Sequence, residues 1–63
     1  MEKNEIRLMI AEEVDYLLTE ALLGGVPQDT AGIELLGHLK TLSEARLEAA
    51  RKAAQEDAQA AAN

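Results

Sequence analysis

Residues 24–30, Gly-Gly-Val-Pro-Gln-Asp-Thr, interrupt a chain that otherwise has a helical pattern. Gly24 or Gly25 can adopt the left-handed backbone conformation that ends a helix, and Pro27 prevents that helix from continuing. Asp29 or Thr30 can cap a second helix by accepting hydrogen bonds from its first free amides. The stretch therefore predicts an all-α fold, a helical hairpin of two antiparallel helices.

The flanking residues predict one domain over residues 1–63, with a helix at about 2–23, a turn at 24–29 and a helix at about 30–61. If Leu23 lies beside Thr30, Glu2 lies opposite about Arg51, and residues 52–63 form an Ala-rich overhang. This overhang either frays or packs against a second molecule. The stretch Thr41-Leu42-Ser43-Glu44 matches a capping box, which leaves a third helix starting there as an alternative. The first helix should carry one apolar stripe: Ile6, Ile10, Ala11, Val14, Leu17, Leu18, Ala21 and Leu22.

Sixty-three residues without cysteine form a core that only just offsets the loss of chain entropy, and no disulfide can add to it. We therefore expect homo-oligomerisation, most simply a homodimer that forms a four-helix bundle. Arg46 and Asp57 lie inside the apolar arc of the second helix. They would pair with opposite charges of another chain and set its register, or else lie at a solvated end of the bundle. The expected oligomer interface contains Ile10, Val14, Leu17, Leu36, Leu39, Leu42, Arg46, Leu47, Ala50, Ala54 and Asp57.

Composition argues against several classes of function. The net charge of −6 disfavours direct nucleic-acid binding, which requires clustered cations. The acidic amino terminus and the short apolar runs predict a cytoplasmic protein without a membrane segment. His38 is the only histidine and has no cysteine beside it, so we expect no metal and no cofactor. The acids Glu12, Glu13 and Asp15 are interpreted as solvated surface, because a hairpin offers no enclosed pocket for an enzyme.

The first helix also carries apolar residues away from its main stripe. Met9, Tyr16 and Leu23 recur every seven residues on a face that contains Glu12, Glu13 and Glu20. Scattered apolar surface is common and is one interpretation. The functional interpretation is a binding site of these six residues for an unidentified partner protein, with Tyr16 as its anchor.

These patterns predict a non-enzymatic protein-interaction module: a small acidic, oligomeric helical protein that binds or inhibits a partner protein. An adaptor, an assembly factor or an effector of a mobile element would have this form. One alternative is a nucleic-acid mimic that blocks a cationic groove. Another is an oligomer that sequesters a small ligand or a nucleotide, with Tyr16 stacking on its ring.

Overall fold

The computed structural model describes the backbone of residues 2–25 and 29–62, and side chains within these ranges up to residue 60. Two helices, α1 at Lys3–Leu23 and α2 at Thr30–Ala62, lie antiparallel in a rod of 51 × 16 × 14 Å. The all-α helical hairpin expected from the sequence is confirmed. The capping-box alternative is wrong, because α2 continues without a break and Thr41 Oγ1 donates to the Gly37 carbonyl 3.1 Å away.

Glycine ends α1 and aspartate begins α2. Gly24 donates its amide to the Glu20 carbonyl at 2.8 Å, and Gly25 adopts the left-handed conformation with φ 74°. Asp29 is the cap of α2, since its Oδ1 accepts from the Gly32 amide at 3.3 Å. The expected role of Pro27 falls outside the described residues.

The two helices pair in a register that differs from the one expected from the sequence. Asn4 Nδ2 donates to Asp57 Oδ2 at 2.7 Å, so α1 reaches several residues further along α2 than the sequence suggested. Next to the turn Thr30 and Ala31 are exposed, and the first half-buried residues of α2 are Gly32 and Leu36. Consequently Ala53 and Ala54, which the sequence assigned to the overhang, are half-buried beside α1.

The contact between the helices follows heptad-like steps of three and four residues, as in helical bundles. Within the described residues it contains one buried large apolar side chain, Leu47, which is 7% exposed. The residues that α1 turns toward α2 are half-buried: Asn4, Leu8, Ala11, Asp15, Leu18 and Leu22. On the side of α2 that faces α1, Ser43 and Leu47 are buried, and four residues are half-buried: Leu36, Lys40, Ala50 and Ala54.

A polar cluster occupies the middle of this contact. Lys40 Nζ donates to Asp15 Oδ2 at 2.7 Å, and Ser43 Oγ donates to Asp15 Oδ1 at 3.1 Å. The Asp15 side chain is 17% exposed, so its interpretation as solvated surface is wrong. The Lys40 hydrogen bond, with help from Ser43 and the charge of Arg51, lowers the pKa of the Asp15 carboxyl against the opposing effect of desolvation. The cluster joins both helices at one level and so helps to set their register.

We expect Asp15→Asn to destabilise the protein at pH 7 and to have less effect in acid. The pKa of Asp15 is lowered from its ordinary value of 3.8, so its ionised form contributes stability above that pH. This contribution is lost as the pH falls through the lower, folded-state pKa. Urea unfolding of both proteins between pH 7 and pH 2 measures the difference. Glu12→Gln removes a charge from an exposed site of the same helix and is the control. An equal effect of Asp15→Asn at both ends of the pH range would contradict the assignment.

A pair of glycine substitutions tests the turn. Gly25→Ala should lower the free energy of unfolding by about 1 kcal/mol, because alanine is strained at a left-handed φ although there is space for its Cβ. Gly37→Ala is the matched control, since a Cβ there also meets nothing within 4 Å and the residue lies inside α2. We expect it to raise the free energy of unfolding by about 0.5–1 kcal/mol. Thermal unfolding measures both effects. Melting temperatures that change in the same direction in the two variants would contradict this account.

Candidate functional site

One side of the hairpin is a broad apolar surface, which we call the open face. Its residues are exposed or half-buried and follow helical spacing on both helices: Ile10, Val14, Leu17 and Ala21 of α1 with Leu35, Leu39, Leu42, Ala49 and Ala53 of α2. Ile10 is 59% exposed and Leu17 is 56% exposed. Exposed apolar side chains that adjoin one another over two helices are characteristic of an interaction surface.

A groove runs along the open face between the helices and has a volume of about 670 Å³. Apolar side chains such as Ile10, Val14 and Ala53 form most of its lining, and Arg7 and Arg46 are its cationic members. Ser43 of the polar cluster also lines it. The groove is therefore an apolar surface that carries positive charge, on a protein whose net charge is negative.

The position of the open face follows from the width of the α1 stripe. At 100° per residue this stripe extends over about 160° of the helix circumference, whereas α2 covers only the edge formed by Ala11, Leu18 and Leu22. The centre of the stripe, at Val14 and Ala21, does not face α2 but points to one side of the hairpin. Helices of four-helix bundles have an apolar stripe of this kind, because each helix is covered by two neighbours that lie in directions about 90° apart around its axis.

The residues expected at the oligomer interface divide into two groups. Ile10, Val14, Leu17, Leu39 and Leu42 lie on the open face, and Arg46 lies among them. Asp57 is exposed near one end of this face, where it accepts the hydrogen bond of Asn4. The other four, Leu36, Leu47, Ala50 and Ala54, face α1 of the same chain.

The opposite side of the hairpin carries a second surface, which we call the acidic face: Met9, Glu12, Glu13, Tyr16 and Glu20. A depression of about 550 Å³ brings Met9, Glu12, Glu13 and Tyr16 beside Leu47 and Arg51 of α2. Leu23, which the sequence grouped with them, is 83% exposed and does not line the depression. The structure thus brings four of the six residues named from the sequence to one depression and places the cation of Arg51 beside them.

Tyr16 is held in place by its neighbour one helical turn away. Its hydroxyl donates to Glu20 Oε1 at 2.6 Å, and this hydrogen bond to a carboxylate raises the pKa of the phenol above its ordinary value of 10.0. Partial desolvation and the charge of Glu13 act in the same direction. The residue remains more than half exposed, so it is available to another molecule.

Sequence reasoning missed the contributions of α2 to the acidic face. Leu47 and Arg51 lie four residues apart on one side of α2, but only the register places them beside Met9 and Tyr16. It also missed Lys40, the partner of Asp15. The available signal was the steps of three and four residues shared by Leu36, Lys40, Ser43 and Leu47, which place Lys40 in the row that faces α1.

The described part of the chain contains no group of three or more His, Cys, Asp or Glu residues that could hold a metal ion. Neither helix, over the residues searched, has an apolar segment long enough to cross a bilayer. Comparisons with protein-family models, with curated proteins and with solved structures found no match.

Proposed function

We propose that this protein is a non-enzymatic protein-interaction module that self-associates through its open face and binds a partner protein through its acidic face. The observation that carries the proposal is the distribution of apolar side chains. Among the described residues Leu47 is the one large hydrophobic residue that is buried, while Ile10, Leu17 and Tyr16 are among those more than half exposed. They lie on two separate surfaces, so two separate contacts are proposed.

Surface area supports self-association. The hairpin exposes 4979 Å². A compact monomer of 6.8 kDa is expected to expose only about 4,000 Å². The excess of about 1,000 Å² is similar to the roughly 800 Å² that each partner buries in a stable interface. A second copy packed on the open face would cover this excess and complete a four-helix bundle.

The acidic face suits a partner that presents an apolar side chain next to Lys or Arg. Met9 and Tyr16 supply apolar contact area, and Glu12, Glu13 and Glu20 surround them with carboxylates. Arg51, at the α2 side of the depression, could pair with a carboxylate of the same partner. Tyrosine is enriched at the energetic centre of interfaces because it combines a large ring with a polar group.

Leu17→Glu tests the proposed self-association. A charge buried at the centre of the open face should raise the dimer dissociation constant by about 100-fold or more. Sedimentation equilibrium over a wide concentration range measures this constant. Leu23→Glu is the matched control, because it adds the same charge to an exposed leucine of α1 outside the open face. A wild-type protein that remains a folded monomer throughout would disprove self-association.

Tyr16→Ala tests the acidic face. Proteins captured from the native host by the wild type, but not by the variant, are identified by mass spectrometry, purified and titrated with both chains. Loss of the ring should weaken binding about 30-fold, with little dependence on salt. Gln55→Ala, an exposed site elsewhere on α2, should bind as the wild type does. Partner binding that is unchanged by Tyr16→Ala but is lost in 0.5 M salt would favour the nucleic-acid mimic. A rise in melting temperature on addition of a nucleotide from a test panel would favour the alternative in which the oligomer sequesters a nucleotide.

A further inference from the structure

The acidic face of α1 continues onto α2. Leu47 and Arg51 line the depression beside Tyr16, so this side of α2 belongs to the same surface. At 100° per residue, two exposed glutamates of α2, Glu44 and Glu48, lie on the same side of the helix as Arg51. The depression therefore lies in a groove between the helices that has carboxylates along both walls. We call it the acidic groove: Met9, Glu12 and Tyr16 of α1 with Glu44, Leu47, Glu48 and Arg51 of α2.

The charge of this groove is negative on balance. Arg51 is its one exposed cation, and part of its effect falls on Asp15, whose pKa it helps to lower. The carboxylates of Glu12, Glu44 and Glu48 outnumber it, and Glu13 also lines the depression. The groove thus favours a cationic segment, and the two acidic walls favour cations along both edges of that segment.

Three exposed apolar residues run along the groove on α1, and we call them the apolar seam: Met9, Tyr16 and Leu23. Each is more than half exposed, and they recur every seven residues. Leu23 lies outside the depression because it is two turns beyond Tyr16 on the same side of α1. Ile33, which is half exposed, lies on the corresponding side of α2. From Met9 to Leu23 the seam is about 21 Å long, which is the length of a helix of about 14 residues.

The geometry of the groove favours a helix over other forms of bound peptide. The described residues contain no strand, so they offer no sheet edge to which an extended peptide could add. Proline-rich peptides bind grooves lined by several aromatic rings, whereas Tyr16 is the one aromatic residue of this chain. A groove between two helices accepts the ridge of a third helix, and a seven-residue repeat is the spacing at which helices contact each other in bundles.

We infer that the acidic groove binds a helix of the partner protein, about four turns long, whose apolar stripe has Lys or Arg along both edges. The stripe packs on the apolar seam. Glu12 pairs with the cations of one edge, and Glu44 and Glu48 pair with those of the other. This inference rests on the proposed binding through the acidic face and adds the conformation and charge pattern of the bound segment.

A synthetic peptide amide of about 18 residues tests the groove. It has leucine at heptad positions a and d, lysine at e and g, and alanine or glutamine elsewhere, and its lysines keep it from pairing with itself. Fluorescence anisotropy of the labelled peptide, titrated with the wild-type chain, measures Kd, and circular dichroism of the mixture measures the helix formed on binding. The matched control has the same composition with leucine and lysine shuffled, so that no stripe forms. We expect the striped peptide to gain helix and to bind at least tenfold more tightly than the control.

Paired variants of α2 test whether the bound helix contacts both walls. Glu44→Gln combined with Glu48→Gln should weaken binding of the striped peptide about fivefold at low salt. Glu34→Gln combined with Glu56→Gln is the matched control, because it removes the same charge from exposed positions that point away from α1. Tyr16→Ala should weaken binding about tenfold, since it removes the central side chain of the seam. Circular dichroism of each variant alone verifies that it is folded.

The outcomes separate this inference from the proposed function. Preference for the striped peptide, gain of helix, and sensitivity to Tyr16→Ala and to the Glu44 and Glu48 pair together support it. Equal binding of the shuffled peptide, or equal loss in both pairs of glutamine variants, shows general charge attraction and overturns it. A captured partner that requires Tyr16, when the striped peptide does not bind, overturns the helix and leaves the role of the acidic face intact.

Discussion

Two helices meet along a single line of contact, and they cannot enclose a core. Each helix of this hairpin has a neighbour on one side only, so large apolar residues on the remaining circumference stay exposed whatever their sequence. Leu47 is buried because it lies on the contact line, whereas Leu42 is half exposed because it points to the side. This constraint produces both the open face and the acidic face. It also underlies the proposal that the protein functions through contacts with other chains.

The polar cluster at the centre of the contact gives the hairpin its register. An interface of leucine and alanine alone would tolerate a shift of one helix along the other, because such side chains are interchangeable. Asp15 bonded to Lys40 and Ser43 makes one alignment better than its neighbours, since any shift leaves a half-buried carboxylate without its partners. This alignment places Leu47 and Arg51 beside Tyr16. The composition of both surfaces therefore depends on it.

The proposed dimer gives the two surfaces separate roles. The open face would be covered by the second copy, while the acidic face lies on the opposite side of the hairpin and would remain accessible. A dimer formed through the open face would then present two acidic faces on opposite sides of one bundle. Such a bundle could hold two partner molecules at once, and the ordered Tyr16 to Glu20 hydrogen bond would orient the ring before binding.

The sequence by itself determined the two helices and where they are interrupted. Backbone chemistry is local, so Gly25 could be recognised as able to end α1 and Asp29 as able to cap α2 without knowledge of any distant residue. It also indicated that Met9 and Tyr16 share a face, because helical spacing follows from residue number. Only the tertiary structure decided that Asp15 is half-buried beside Lys40, and that Leu47 and Arg51 complete the acidic face. Those facts depend on the rotation and level of one helix against the other, which are set by the sum of many weak contacts between residues distant in the chain.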